Sequence, residues 1–254
     1  MYQLKNVKLS RNGRTLLQIE QLCIPPQGLT VILGHNGSGK STLLKLLAGQ
    51  LKSDQGQVLL NQREVMHYAP RELARQVAYM PQQIPQAALM QVRELVELGR
   101  FAWRGWLSRW QADDKAQVDA ALRAADVAHL ARHALDEISG GERQRAWLAM
   151  LLAQNSPMLL LDEPSSALDL AHQYQLMQLL RSQVQSQSCA VIAILHDLNL
   201  ALRYADRIIA LQRGQLWFDG TPAELLAHAD LHDLYGIALD ILPRAGKHAV
   251  AVVA

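Results

Sequence analysis

The sequence predicts an α/β fold: a P-loop core built on a mostly parallel sheet, preceded by an antiparallel β section and interrupted by a helical insertion. Three observations predict it. Apolar strand-like runs alternate with helices from residue 158 to residue 211, the pattern of a buried parallel sheet. Two of the apolar runs, 29–33 and 158–161, end directly in residues with phosphate or metal chemistry. Residues 85–155 read as helical throughout.

In chain order, residues 2–10 and 16–24 read as strands about a turn at Asn12-Gly13, and Pro25-Pro26-Gln27-Gly28 leads into a strand at 29–33. A helix is expected from near Thr42 to near Gly49, carrying Leu43, Leu44, Leu46 and Leu47. The turn Ser53-Asp54-Gln55-Gly56 then opens a strand at 57–60, and a further β segment spans 76–80. In the insertion, Val92, Leu95, Val96 and Leu98 stand at helical spacing. Asp113-Asp114 can cap a helix with apolar Val118, Ala121, Leu122 and Ala125. Trp103, Trp106 and Trp110 either pack this insertion or line a partner groove. Strands at 158–161, 190–195 and 207–211 then alternate with helices at 171–185 and from Leu198. A hairpin turns at Gly214, and Thr221-Pro222-Ala223-Glu224 is a capping box with proline at the first helical position. The expected divisions are 1–84 with 156–254 for the β-rich and P-loop lobes, and 85–155 for the helical one.

The 254 residues suffice for a substantial core, and half of them are apolar. A formal net charge of +2 with scattered basic residues gives no electrostatic footprint for nucleic acid, so no such partner is expected. Cys23 and Cys189 have neither metal-ligand nor redox spacing and read as two buried thiols in a reducing compartment. With no signal-peptide pattern at Met1 and no apolar run approaching ~20 residues, the chain is expected in the cytoplasm.

The chemistry begins at Gly34, His35, Asn36, Gly37, Ser38, Gly39, Lys40, Ser41 and Thr42, which have P-loop spacing between a strand and a helix. The glycines let backbone N–H groups wrap a polyphosphate, Lys40 offers a compact charge for β- and γ-phosphates, and the Ser41 hydroxyl can ligate Mg²⁺. Asp162 and Glu163 end the next apolar strand. Asp162 suits Mg²⁺ and Glu163 suits polarising an attacking water; capping the following helix is the plainer alternative. Ser139, Gly140 and Gly141, within Ile138-Ser139-Gly140-Gly141-Glu142-Arg143-Gln144, open a helix and form a second anion site there.

That last segment resembles the signature motif of ATP-binding-cassette (ABC) ATPases, and with the P-loop and the acidic strand in this order the resemblance covers nearly the whole chain. It implies the ABC ATPase fold, ATP and Mg²⁺ as ligands, and a head-to-tail homodimer with two ATP molecules between P-loop and signature. By the same resemblance Gln82 is similar to the Q-loop glutamine that touches metal and water, Asp169 in Ser166-Ala167-Leu168-Asp169 belongs to the D-loop, and His196 is similar to the switch histidine that meets the γ-phosphate. Family members commonly stack adenine on an aromatic residue in the first β segment; the matching position is Arg11, whose guanidinium also stacks on bases.

Local wording at Gly99-Arg100-Phe101-Ala102-Trp103, Gly140-Gly141-Glu142-Arg143-Gln144-Arg145-Ala146-Trp147, His196-Asp197-Leu198-Asn199 and Leu234-Tyr235-Gly236-Ile237 resembles bacterial importers of ferric siderophores, haem and vitamin B12, most of all the ferric-hydroxamate members. Such a subunit works at the cytoplasmic face of the inner membrane with integral membrane permease subunits and, indirectly, a periplasmic substrate-binding protein. A haem or vitamin B12 importer, an exporter subunit and a soluble ABC ATPase of iron–sulfur cluster assembly are the alternatives.

Overall fold

A computed structural model describes residues 1–85, 89–104, 110–187, 189–227, 231–244 and 247–253. Trp106 lies outside them. In chain order the elements are β1 (Tyr2–Arg11), β2 (Arg14–Ile24), β3 (Leu29–Leu33), α1 (Lys40–Leu47), β4 (Gln55–Leu60), β5 (Arg63–Glu64), α2 (Pro70–Gln76), β6 (Val77–Met80), α3 (Val92–Leu98), α4 (Ala112–Ala124), α5 (Gly140–Gln154) and β7 (Met158–Asp162). They continue with α6 (Leu170–Gln187), β8 (Ala190–Ile194), α7 (Leu198–Tyr204), β9 (Arg207–Gln212), β10 (Gln215–Gly220), α8 (Pro222–Ala227), α9 (Leu231–Tyr235), β11 (Leu239–Arg244) and β12 (Lys247–Val253). Two compact units result: Met1–His67 with Ala190–Ala254, and Tyr68–Cys189.

In the first unit the strands run in the order β5-β4-β1-β2-β10-β9-β3-β8. β1 and β2 form an antiparallel hairpin, and Asn12 (φ 51°) with Gly13 (φ 74°) supplies the pair of positive φ angles that a tight hairpin turn needs. β4 pairs antiparallel with β1, which accounts for the antiparallel N-terminal strands. β3 lies between β8 and β9 and is parallel to both, and every residue of β3 and β8 is buried. Such strands read as continuous apolar runs because both faces are covered. The chain closes with an antiparallel hairpin of β11 and β12.

In the second unit β6 and β7 are parallel, with Val77 opposite Met158 and Met80 opposite Leu161. Helices α3, α4 and α5 share a core of Val92, Leu95, Val118, Leu122, Ala146 and Ala149. Each large side chain among them contributes ~1.5–3 kcal/mol by leaving water. Gly99 permits the close approach of α3 to α5, since a Cβ there would sit 2.2 Å from the Met150 carbonyl oxygen. Arg100, buried, donates to Asp114 at 3.0 Å and to the Ala153 carbonyl at 3.0 Å. Burial pushes the Asp114 carboxyl up, but the hydrogen bonds from Arg100 and the Gln111 N–H outweigh it and hold the group below its ordinary range.

Several expectations need correction. α1 begins at Lys40, two residues before Thr42, because Gly39 (φ 101°) is already its N-cap. α4 is capped by Gln111; Asp113 and Asp114 lie inside its first turn, Asp114 at the position from which its carboxylate accepts the Gln111 N–H at 3.2 Å. Cys23 is exposed, since β2 alternates and places Leu22 and Ile24 inward; only Cys189 is buried, and burial pushes its thiol up to about 11. α2, α9 and the β11–β12 hairpin are additional elements. The Thr221 capping box is present: the Glu224 carboxylate accepts the Thr221 N–H at 2.7 Å and Pro222 opens α8.

Candidate nucleotide site

Gly34–Thr42 follows β3 directly and enters α1. Three glycines have positive φ, and at two of them nothing larger fits: a Cβ on Gly34 would lie 2.3 Å from the Leu211 carbonyl oxygen, and one on Gly39 would lie 2.9 Å from that of Leu16. The backbone can therefore wrap a phosphate chain closely. The Ser38 N–H donates to the His35 carbonyl at 3.1 Å, closing the loop. Lys40 is 5% exposed, and its Nζ donates to the carbonyl oxygens of Gly34 (2.7 Å) and His35 (2.9 Å). The ammonium is thus held folded over the loop, where phosphate oxygens would compete for it. Ser41 and Thr42 lie in the first turn of α1.

His196 stands at the same end of the sheet. β8 is parallel to β3 with Ile194 opposite Ile32, so the chain leaves both strands at their C-terminal ends, the edge where α/β sheets bind ligands. Gly34, His35, Asn36, Leu195, His196 and Tyr235 line one cavity of about 360 Å³ there. A second cavity, about 680 Å³, opens on the other side of the loop between Arg14, Thr15, Leu16, Asn36, Gly37 and Arg213. Arg11 does not reach it: its guanidinium is 3.5 Å from Asp54 and donates to the Ser10 carbonyl. Arg14 faces Arg11 across the hairpin register and takes the place expected for Arg11.

In the second unit, Asp162 ends β7 at 1% exposure, and Glu163 follows with φ 54°. A non-glycine residue in the left-handed region carries a backbone cost, of the kind that clusters at functional sites. The Glu163 carbonyl accepts from Ser166 N–H (3.3 Å) and Gln144 Nε2 (3.4 Å), which fixes that conformation. Gln144, buried on the signature helix α5, thereby ties the signature to Glu163. Gln82 is exposed two residues beyond β6, at the same edge as Asp162 because β6 and β7 are parallel. Burial, then the Asp162 charge, pushes the Tyr79 phenol up to about 12.

Ser139 caps α5, and its box with Glu142 is complete: the carboxylate accepts the Ser139 N–H and Oγ–H, each at 2.8 Å. Those hydrogen bonds hold the Glu142 carboxyl below its ordinary range. Ser139 and Gly140 are exposed, and a Cβ on Gly141 would press on Leu168 at 3.3 Å, so the signature and residues 166–169 touch. Asp169 caps the start of α6, accepting the His172 N–H at 2.9 Å; that bond and the His172 ring hold its carboxyl low.

The family description "ABC transporter" matches residues 17–166, more than half of the chain. The chain belongs to the ABC transporter family. Membership makes it an ABC ATPase, hydrolysing ATP in the service of transport. It is 38% identical to the achromobactin transport ATP-binding protein CbrD of Dickeya dadantii (strain 3937), covering 94% of this chain and 89% of that protein. Against the hemin import ATP-binding protein HmuV of Pseudomonas putida the identity is 41%, over 96% and 95%. Against the iron(3+)-hydroxamate import ATP-binding protein FhuC of Bacillus subtilis it is 35%, over 92% and 88%. Among solved structures, a metal-chelate type ABC transporter in an inward-facing conformation superposes with TM-score 0.83 at 25% identity, over 99% of this chain and 97% of that one. The dimeric ATP-binding cassette MJ0796 bound to ADP and phosphate superposes with TM-score 0.79 at 29% identity, over 87% and 99%. As an ABC ATPase the chain carries no helix, among the described residues, long and apolar enough to cross a membrane.

Proposed function

We propose that this ABC ATPase drives a bacterial importer of ferric siderophores, of the hydroxamate type, as a homodimer attached to integral membrane permease subunits and fed by a periplasmic substrate-binding protein. The observation that carries the reading is the agreement of relatives over nearly the full chain, named for achromobactin transport, hemin import and iron(3+)-hydroxamate import. Haem is the second reading, favoured by the 41% identity to the hemin import protein.

In this reading the exposed Ser139-Gly140 end of α5 receives the γ-phosphate held by the P-loop of a second copy. The dimeric relative with ADP and phosphate supports such an arrangement. Lys40 leaves the loop carbonyls for the β- and γ-phosphates. His196 meets the γ-phosphate, and Asp169 communicates across the dimer. Glu163 accepts a proton from the water that attacks the γ-phosphorus as ADP leaves. Mg²⁺ fits the residues present: Ser41, Asp162 and Gln82 are hard oxygen donors, and the buried Asp162 carboxylate is a group that a cation offsets. Bound with the nucleotide, the ion would supply charge neutralisation on the phosphates.

A surface for the permease lies on the helical unit. Leu89, Leu98 and Phe101 are exposed at 86%, 51% and 72%, and with Trp110, Glu94 and Glu97 they line a cavity of about 540 Å³. Trp103, also exposed, lies against the Arg75 and Arg100 guanidinium groups at 5.5 and 5.9 Å and donates to the Gln154 carbonyl. Apolar groups gathered this way mark a partner surface.

The reading is tested by reconstituting the ATPase with its co-purifying membrane subunits in vesicles and adding binding protein loaded with ferric hydroxamate, haem or cobalamin. Stimulated hydrolysis with the ferric hydroxamate is expected; stimulation by haem alone selects the second reading, and stimulation by none overturns the importer. The base-side cavity gives a second expectation. Arg14→Ala should raise the KM for ATP about three- to tenfold with kcat nearly unchanged, as loss of uniform binding does. Arg11→Ala should leave KM at the wild-type value, since a surface pair with Asp54 is worth ~1 kcal/mol or less to folding and nothing to the nucleotide. The reverse ranking in steady-state kinetics would return the base contact to Arg11.

A further inference from the structure

The loop that carries His196 is held from behind by the last residues of the chain. Asp197 caps α7 through the N–H groups of Asn199 (2.7 Å) and Leu200 (3.2 Å), so the helix start and the His196 loop form one rigid piece. Asn199 then pairs with the backbone of β12: its Nδ2 donates to the Ala251 carbonyl at 3.1 Å, and the Ala251 N–H donates to its Oδ1 at 2.8 Å. A side-chain amide satisfying both backbone groups of one residue imitates a strand partner.

Tyr235, at the end of α9, makes the second attachment. Its ring meets the His35 imidazole edge-on at 6.3 Å, and it lines the cavity shared by Gly34, His35, Asn36 and His196. The hydroxyl is buried with no hydrogen-bond partner among the described residues, and burial followed by the Asp197 charge pushes the phenol well above its ordinary range. A buried orphan hydroxyl is a cost that phenylalanine avoids, so its presence points to a role beyond packing.

We infer that the C-terminal segment braces His196, with Asn199 and Tyr235 as positioning residues that hold the His196 loop against the P-loop. This rests on the reading of His196 as the γ-phosphate contact. The fold gives the brace its logic. Among the described residues β11 and β12 pair only with each other, yet β12 is bound to α7 through Asn199, and α9 ends against the P-loop histidine. Asn199 bonds to β12 and so acts through the loop, while Tyr235 borders the cavity that His35 and His196 share.

The test uses the full-length ATPase and single-turnover hydrolysis. Tyr235→Phe keeps the ring and removes one oxygen; Asn199→Ala removes both bonds to Ala251. Each is expected to lower the hydrolysis rate about tenfold, with the affinity for ATP within about twofold of wild type. Tyr235→Phe should melt at or above the wild-type temperature, which a merely structural contact would not do. Placed in a His196→Ala background, both changes should cost nothing further, because residues acting through one another are not additive. Unchanged rates in both single variants overturn the brace, and so do fully additive losses in the His196→Ala background. His196→Ala with an undiminished rate would remove the underlying reading of His196, and the brace with it, whereas an impaired His196→Ala with additive partners overturns the brace alone.

Discussion

Glu163→Gln should bind ATP as the wild type does while hydrolysis falls by about two to three orders of magnitude, the range a positioned general base supplies. The reason lies in the backbone. Glu163 holds φ 54°, its carbonyl pinned by Ser166 and Gln144, so the residue is over-determined and an isosteric amide should occupy the same place. What changes is the capacity to accept a proton from water. Because ATP still binds and the site can no longer discharge it, dimers should accumulate, visible by size exclusion with ATP and lost with ADP. Fluorescent-nucleotide binding and single-turnover phosphate release separate the two steps. A variant that keeps half of its hydrolysis would remove Glu163 from the chemistry and leave it as the residue that shapes the turn after β7.

The motifs were legible because each sits at a strand end that an apolar run announces. β3 and β7 are buried along their full length, so the sequence shows uninterrupted apolar residues followed at once by Gly34 and by Asp162-Glu163. The helical core at Val92, Leu95, Val118 and Leu122 was legible for the same reason, through spacing on one face. Legibility failed where partners are distant. Arg11 and Arg14 differ by three positions, and only the hairpin register, with the Asp54 carboxylate on one side and the P-loop on the other, decides which of the two lines the cavity beside Gly37. Asn199 and Tyr235 were present in the wording of the chain but without a role, since their partners, Ala251 and His35, are 52 and 200 positions away. β12 has a signal, the alternation within Ala249-Val250-Ala251-Val252-Val253, short enough to be overlooked. Gln144 is another case: as part of the signature it is a letter in a motif, and the contact with the Glu163 carbonyl shows that it links the signature to the turn after β7.

Ser139 caps α5, and substitution can separate that duty from the phosphate contact proposed for it. Its Oγ accepts the Glu142 N–H at 3.3 Å and donates to the Glu142 carboxylate, so it is a helix cap; in the proposed dimer the same hydroxyl turns to the γ-phosphate of the partner's ATP. Ser139→Ala loses the cap, at ~1 kcal/mol of stability, together with one phosphate contact, and hydrolysis should fall about tenfold. Ser139→Asp keeps a good capping residue but sets a carboxylate against both the incoming phosphate and Glu142, so hydrolysis should fall by about a hundredfold or more although the cap is retained. ATP affinity of the monomer, measured at dilution, should stay within about twofold for both variants, because in the proposed dimer Ser139 meets the partner's nucleotide. The order matters more than either number. If Ser139 acted only as a cap, the hydrolysis of each variant would follow its loss of melting temperature; if it faces a phosphate, aspartate loses far more hydrolysis than its melting accounts for. Calorimetric melting beside phosphate release distinguishes the two, and an aspartate variant with wild-type hydrolysis would leave the signature end of α5 without a role at the nucleotide.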